Sequence, residues 1–395
     1  MYYFFMHTKL YDYQKHKGYI MQYELLLTML SILMLCISTN TQACTGIRLK
    51  ADDGSIVYAR TLEFSQPIES EILFMPSDYQ CRGVTAYDDI PGLAWKSKYA
   101  ALGANALGFT ELVDGVNEKG LAGGIFYFPG YADFPTATKD NASDAIAPWQ
   151  LLTWILTTCE SVDQVKKELP KVQVSQVPVG GIIHPVHYIV HDKQGNSLVI
   201  EYMNGTLDMH DNPLGALTNS PSFDWHVTNL RNYINLNPLN VPKIEIDNIS
   251  LAPFGQGSGM FGLPGDFTPP SRFVRAVTFS QSAYKGKNGK EALDNAFHIL
   301  NLFEIPKGVV RLSAEKQIDY TQWTSAVNVS TQQYHFHTYD NRQIHMLDLN
   351  KLKNRKTKAI LPMQYPETTV DLTNEVSTVS DKANSKNSKQ TNNPG

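Results

Sequence analysis

Position 44 holds the residue with the most to offer chemically in this 395-residue chain. Cys44 follows Thr41-Gln42-Ala43, with small residues at the first and third places before a cut. Upstream lies an apolar stretch, Leu25 to Ile37, preceded by Lys9, Lys15 and Lys17. That is the layout of a cleavable export signal, and the stretch falls short of the roughly 20 residues of a spanning helix. We therefore expect residues 1–43 to be a removed signal peptide and the protein to be exported, periplasmic or secreted, with no stable membrane span after processing. Cys44 then begins the mature chain, and a thiol and an α-amine share one residue. Their reference pKa values are about 8.5 and about 7.7–8.0. A neutral amine is a general base, and the thiolate is the competent nucleophile. The pair suits acyl transfer from an amide: sulfur attacks the carbonyl, the amine nitrogen leaves, and water releases the acid. The rival reading is a lipid-anchored envelope binding protein with lipid on Cys44. A lipoprotein signal normally wants Leu three places before the cysteine and a small residue two before, where this chain has Thr41 and Gln42.

Such a site also needs a cation near the sulfur, an acceptor for the amine and donors for the oxyanion. After Cys44, two β-rich runs flank Asp53-Gly54, a strong two-residue hairpin signal. With that turn Asp52 faces Ser55, and Cys44 lies directly opposite Glu63. Arg60 then points to the other face, so a bulge or strand end is needed for it to reach Cys44. Without Cys44, Arg60 and Glu63 would read as an exposed cross-strand pair worth about 0.2–1 kcal/mol.

The elements that must hold these groups alternate in an α+β manner. Strands are expected at Leu107–Val113 and Leu121–Tyr127 around a turn at Asp114–Gly120, and at His187–His191 and Ser197–Met203. A closing meander is expected at Trp323–Val329, Gln332–Tyr339 and Gln343–Leu349. Helices are expected at Ile146–Thr157, from a Ser161 capping box to Leu169, and at Trp225–Leu236, Ser271–Tyr284 and Glu291–Glu304. Strands at both ends with helices between suggest sheets covered by helices. From about Pro366 the chain turns to Thr, Ser, Asn, Asp and Lys, too polar to offset its chain entropy. The domain is read as 44–362, and 363–395 as a disordered polar tail. A net charge of -4 gives no basic excess, which argues against nucleic acid as a partner. Four cysteines, Cys36, Cys44, Cys81 and Cys159, are too few and irregular for a disulfide scaffold or zinc ribbon, and the state of Cys81 and Cys159 stays open.

Several segments together resemble the choloylglycine hydrolase family of bile salt hydrolases and penicillin V acylases. They are Cys44-Thr-Gly-Ile-Arg48, Ala59-Arg-Thr-Leu-Glu-Phe64, Asn117-Glu-Lys-Gly-Leu-Ala122 and Phe128-Pro-Gly-Tyr-Ala132. Further on come Leu217-Thr-Asn-Ser-Pro-Ser-Phe-Asp-Trp225, Asn229-Leu-Arg-Asn-Tyr233, Gly257-Ser-Gly-Met-Phe-Gly-Leu-Pro-Gly-Asp266 and Pro270-Ser-Arg-Phe-Val-Arg275. The resemblance implies an N-terminal nucleophile hydrolase, a four-layer αββα sandwich of two antiparallel sheets that cleaves linear non-peptide amides without metal or cofactor. It implies Cys44 as nucleophile with its α-amine moving the proton, and Arg60 supporting the thiolate. Glu63 falls where the family usually has aspartate to orient the amine. Tyr127 falls where bile salt hydrolases usually carry asparagine and penicillin acylases show tyrosine; its backbone N–H would serve the oxyanion hole. Asn219 would complete that hole through its side chain, and Arg272 would sit near the reacting centre. A homotetramer is a state the resemblance brings with it. Bile-salt-type hydrolysis is the first expectation, penicillin V or N-acyl homoserine lactone acylase the alternative. All need an apolar acyl pocket, for which Phe64, Phe126, Phe128, Tyr131, Phe134, Phe254 and Phe261 are candidates.

Other signals are weaker. Gly257-x-Gly259-x-x-Gly262 matches a dinucleotide pattern, but Pro264 follows and no βαβ unit surrounds it. The pairs His187/His191 and His335/His337 have strand-face spacing that suits a metal, yet no carboxylate or cysteine companion is apparent.

Overall fold

A computed structural model of the chain describes residues 43–311, 318–366 and 369–376. The expected signal peptide lies outside these residues except for Ala43, as does most of the expected tail. Chain order gives β1 (Thr45–Lys50), β2 (Ile56–Phe64), β3 (Glu71–Met75), β4 (Ala101–Ala104), β5 (Asp114–Asn117) and β6 (Leu121–Tyr127). Helices α1 (Leu151–Thr158) and α2 (Val162–Glu168) come next, then β7 (Val186–Asp192), β8 (Ser197–Met203) and β9 (Thr206–Asp211). After α3 (Phe223–Asn229), α4 (Pro269–Ser282) and α5 (Gly289–Leu300) come β10 (Val310–Arg311), β11 (Ile318–Asn328), β12 (Gln333–Thr338), β13 (His345–Asp348) and β14 (Ala359–Pro362).

These strands build two antiparallel sheets. The first runs β1-β2-β11-β12-β13, with β10 on β11; the second runs β9-β8-β7-β6-β5-β4-β3-β14. Helices α4 and α5 pack on β1 and β2, and α1 and α2 pack on β6 and β7. One apolar cluster joins Ile47, Val57, Ala59 and Ala326 of the first sheet to Phe74, Leu102, Val116 and Ile189 of the second. A separate cluster fills the space between the second sheet and α1 and α2, with Leu121, Val190, Leu152 and Ile155. Helix, sheet, sheet, helix is the four-layer αββα sandwich that the family resemblance implied. Because β2 is covered on both faces, it reads as a nearly unbroken buried run rather than an alternating one.

The helices are set by local chemistry. Ser161 Oγ accepts from the Gln164 N–H at 3.2 Å, and Asn288 Oδ1 from Lys290 and Glu291 at the start of α5. Pro269 and Pro270 open α4, where a missing N–H costs nothing. Helix α1 starts later than Ile146, because Ala145–Ile146 pairs with Gln173–Val174 and Pro148 begins a 3₁₀ turn.

Three expectations are corrected. The first hairpin turns through three residues, Asp52-Asp53-Gly54: the Ala51 N–H donates to Ser55 O, and Gly54 has φ +87°. Pairing is therefore Thr45 with Thr61 and Gly46 with Arg60, one residue off the expected register. Residue 44 extrapolates to a place opposite Leu62, not Glu63. The segment Leu107–Val113 is not a strand, since Leu107 and Gly108 both have positive φ, and the expected turn Asp114–Gly120 contains β5. Asp-Gly reads as a turn, but here it lies in a ladder so close that a Cβ on Gly103 would stand 1.9 Å from Asp114 O. Finally, packing runs past residue 362: Met363 is buried, and Asn341 Nδ2 donates to Tyr365 O and Pro366 O.

Candidate active site

The site is assembled by two antiparallel joins to β1. On one side β2 brings Arg60 opposite Gly46. On the other, Gly46 and Leu217 exchange both backbone hydrogen bonds. Continuing that antiparallel pairing by two residues sets Cys44 opposite Asn219. The residue 44 N–H donates to Asn219 Oδ1 at 2.9 Å. This nitrogen is the amide that joins Ala43 to Cys44, and it marks the place of the α-amine that cleavage would create. The Asn219 loop, which contains the cis Ser220–Pro221 bond, is held from behind. His226 Nε2 donates to Asn219 O at 2.9 Å, and burial pushes that imidazole down to about 4. His187 bridges Thr218 O and Glu201 Oε1, at 3.0 Å each, and stacks on Phe128.

Two buried arginines flank residue 44. Arg272, on the first turn of α4, donates Nη1 to Cys44 O and to Thr45 Oγ1, and Nη2 to Asn219 Oδ1 at 2.6 Å. Its Nε donates to Phe267 O. Arg60 lies across the Phe126 ring at 4.2 Å and donates Nη1 to Ile125 O at 2.6 Å, while its Nη2 has no hydrogen-bond partner among the described residues. The corrected register puts Arg60 on the face of Cys44 by simple alternation, so no bulge in β2 is needed. Burial raises the Cys44 thiol, and Arg60 is the strongest charge pulling it back down. Beneath Arg60, Asp114 Oδ2 accepts from Ser325 Oγ at 2.6 Å and Tyr334 at 2.8 Å, tying the two sheets together.

Glu63 reaches the site by another route. Its side chain accepts from Thr321 Oγ1 at 2.6 Å, next to the bulge where β11 carries Gln322 unpaired. Its backbone N–H is directed at the Cys44 sulfur, favouring the thiolate. Burial pushes the Glu63 carboxyl up to about 8, against the pull of Arg272. Glu63 is thus beside Cys44, though not by the cross-strand pairing expected.

Tyr127 O accepts from Asn219 Nδ2 at 2.8 Å. By alternation the Tyr127 N–H faces the same side as that of Ile125, which donates to Val113 O; the registered β5–β6 pairs end at Gly124. Tyr127 lines the same cavity as Cys44, and its carbonyl holds the Asn219 side chain whose Oδ1 meets the residue 44 nitrogen. From Cys44 a cavity opens between the sheets, walled by Leu62, Phe64, Phe126, Trp149 and Val186, with Tyr127 and His184 at its edge. Phe109 stacks on Trp149 at 5.4 Å. Of the aromatic candidates, Phe64 and Phe126 line this cavity. Phe128 and Phe134 are buried outside it, Tyr131 stacks on Phe128, and Phe254 and Phe261 are exposed elsewhere. Sequence reading missed Trp149, Phe109, Thr321 and a buried carboxyl, Asp319, that faces Arg272. Only the fold brings these to Cys44; none carries a local signal.

Among the described residues no group of three or more His, Cys, Asp or Glu side chains is placed to hold a metal ion. Cys81 and Cys159 are free thiols, each raised to about 11 by burial. A buried thiol beside two guanidiniums and a carboxyl, on the residue whose nitrogen cleavage would free as an amine, has the groups that forming and cleaving a thioester calls for. The chain matches the model of the linear amide C–N hydrolases, choloylglycine hydrolase family, over residues 44–360, and it belongs to that family. It is an amidohydrolase. The bile salt hydrolase/transferase of Clostridium perfringens is 35% identical over 331 residues, covering 82% of this chain and 98% of that one. The crystal structure of a variant of the conjugated bile acid hydrolase from the same organism has 30% identity and a TM-score of 0.74, over 83% of this chain and 100% of that one. A penicillin V acylase from Pectobacterium atrosepticum is 27% identical over 75% of this chain and 77% of its own length.

Proposed function

We propose that the protein is exported, is cut after Ala43, and hydrolyses conjugated bile salts with Cys44 as the N-terminal nucleophile. The observation that carries this reading is the Cys44 nitrogen held on Asn219 Oδ1, with the thiol at the mouth of an apolar cavity. In this reading the thiolate, facing Arg60, attacks the acyl carbon, and the oxyanion sits between the Tyr127 N–H and Asn219 Nδ2. The α-ammonium gives its proton to the departing amine nitrogen. Water, losing a proton to the restored amine, then opens the thioester and frees the bile acid. The cavity accepts the acyl part because its walls are hydrocarbon and aromatic faces. Tyr127, which lines that cavity, favours a second reading, a penicillin V acylase, because the residue falls where the family's penicillin acylases show tyrosine and its bile salt hydrolases usually carry asparagine. Mature protein assayed on glycocholate, penicillin V and a long-chain N-acyl homoserine lactone separates them. We expect glycocholate to be cleaved fastest; inactivity on it beside turnover of another amide overturns the bile-salt reading. Intact mass should begin at an unmodified Cys44, whereas a diacylglyceryl adduct would point to a lipid-anchored protein.

The homotetramer is also a proposal. A hairpin of Ile244–Ile246 and Ile249–Leu251 is exposed at every residue, and Ile234, Leu239, Phe254 and Phe261 beside it in sequence are exposed as well. An arm this apolar is costly to leave in water and suits burial against another copy. Light scattering should give four chains per particle, and Ile246→Asp with Ile249→Asp should lower that number. A monomer before mutation would rule the assembly out.

A further inference from the structure

Arg272 is the cation for two carboxyls, not one. Glu63 and Asp319 both act on it, as does Cys44. Asp319 and Thr321 are two residues apart in β11 and both buried, so alternation puts them on one face, and Thr321 is the residue that hydrogen-bonds Glu63. Asp319 is 1% exposed, and neither of its carboxylate oxygens has a well-formed hydrogen bond among the described residues. It lines a cavity on the far side of Asn219 and Arg272, and Ala43 lines that cavity too. Arg272 is therefore shared by two buried carboxyls, of which Glu63 also meets Arg60. The orphaned Asp319 faces the space that residue 43 leaves on cleavage, in a cavity that Arg311 lines as well. Buried charges persist only when paired and hydrogen-bonded.

Resting on the reading of Cys44 as the mature N-terminus, we infer that Asp319 is a positioning residue that pairs, across this cavity, with the Cys44 α-ammonium released by processing. The ammonium then gives Asp319 a cation besides the Arg272 it shares with Glu63 and the Arg311 that lines the same cavity. Burial holds Asp319 up at about 7 and Glu63 at about 8, each against the pull of Arg272, and a further cation nearby lowers both. With the ammonium in place, Asp319 favours the thiolate–ammonium form of residue 44: the sulfur proton resides on the nitrogen, and Arg60 faces the negative sulfur. From there it is ready for delivery to the leaving amine.

The test compares the wild-type full chain, as expressed and processed, with Asp319→Asn. Intact mass first establishes whether each begins at Cys44; retention of earlier residues refutes the N-terminal reading and, with it, this pairing. In correctly cut protein, the α-amine pKa is read by pH-dependent acetylation with acetic anhydride and mass spectrometry. Removing the carboxylate should lower that pKa by about one unit. Both limbs of the pH profile of kcat/KM, for whichever amide is turned over, should move the same way, with KM little changed. Lower activity with an unmoved amine pKa and an unmoved profile is what a purely structural role gives, and it overturns the assignment. Should Asp319→Asn not fold, Asp319→Glu and the wild type decide: the wild-type amine should titrate above the ordinary range of about 7.7–8.0, and a value within or below it rejects the pairing.

Discussion

Cys44→Ala is expected to abolish amide hydrolysis while leaving far-UV circular dichroism unchanged. The substitution removes only sulfur from a residue that is 3% exposed, and it keeps the backbone N–H that donates to Asn219 Oδ1 and the carbonyl that accepts from Arg272. A lost buried atom of that size costs on the order of 1 kcal/mol, well within a folded domain's reserve. The chemical loss is of another order. No other thiol among the described residues stands in the cavity, since Cys81 and Cys159 belong to the opposite side of the second sheet with α1. Removing a nucleophile that acts as a unit with its proton carrier typically costs about 10⁴-fold or more. Initial rates on the best of the three amides, at matched folded concentration, measure this. Turnover within tenfold of wild type would remove Cys44 from its role.

Asn219→Ala should be the next most damaging change, and its effect should fall on kcat. The side chain does three things at once: it accepts from the residue 44 nitrogen, accepts from Arg272 Nη2, and donates to Tyr127 O. Loss of one oxyanion donor lowers kcat by about 10²–10³-fold. Truncation also leaves a buried guanidinium donor without its acceptor, so stability should fall by about 1–3 kcal/mol. KM should change little, because the hydrocarbon wall that binds the acyl group is untouched. A rise in KM at constant kcat, from steady-state kinetics, would instead make Asn219 a substrate-binding residue.

How far the sequence could be read depended on distance along the chain. Helix α2 was visible because Ser161 caps it locally, and β7 and β8 because Gly195 marks the turn between them; α5 was expected two residues late, at Glu291, because its Asn288 cap went unread. The site residues Cys44, Arg60, Glu63, Asn219 and Arg272 do converge, and Tyr127 meets Asn219 through its carbonyl. What failed was register. Asp53-Gly54 is the best two-residue turn on offer, yet the loop takes Asp52 as well, and that one step exchanges which of Arg60 and Glu63 shares the face of Cys44. β5 was hidden for a related reason. Its Asp114-Gly115 looks like a bend, and only the neighbouring glycine-bearing strands make it a ladder. Asp319 could not be seen at all. In sequence it is an acidic residue ahead of the meander expected from Trp323, and its burial depends on α4 delivering Arg272 from forty-seven positions away.

The Asp52-Asp53-Gly54 turn is solvent-exposed and touches nothing in the acyl cavity, and loops of that kind usually tolerate insertion and deletion well. Here its length governs catalysis. One residue more or fewer would slide β1 along β2 by about 3.3 Å and reverse the side of the sheet its side chains occupy. Family members that drift in sequence across this bend should therefore keep its residue count, as strictly as they keep the thiol it serves.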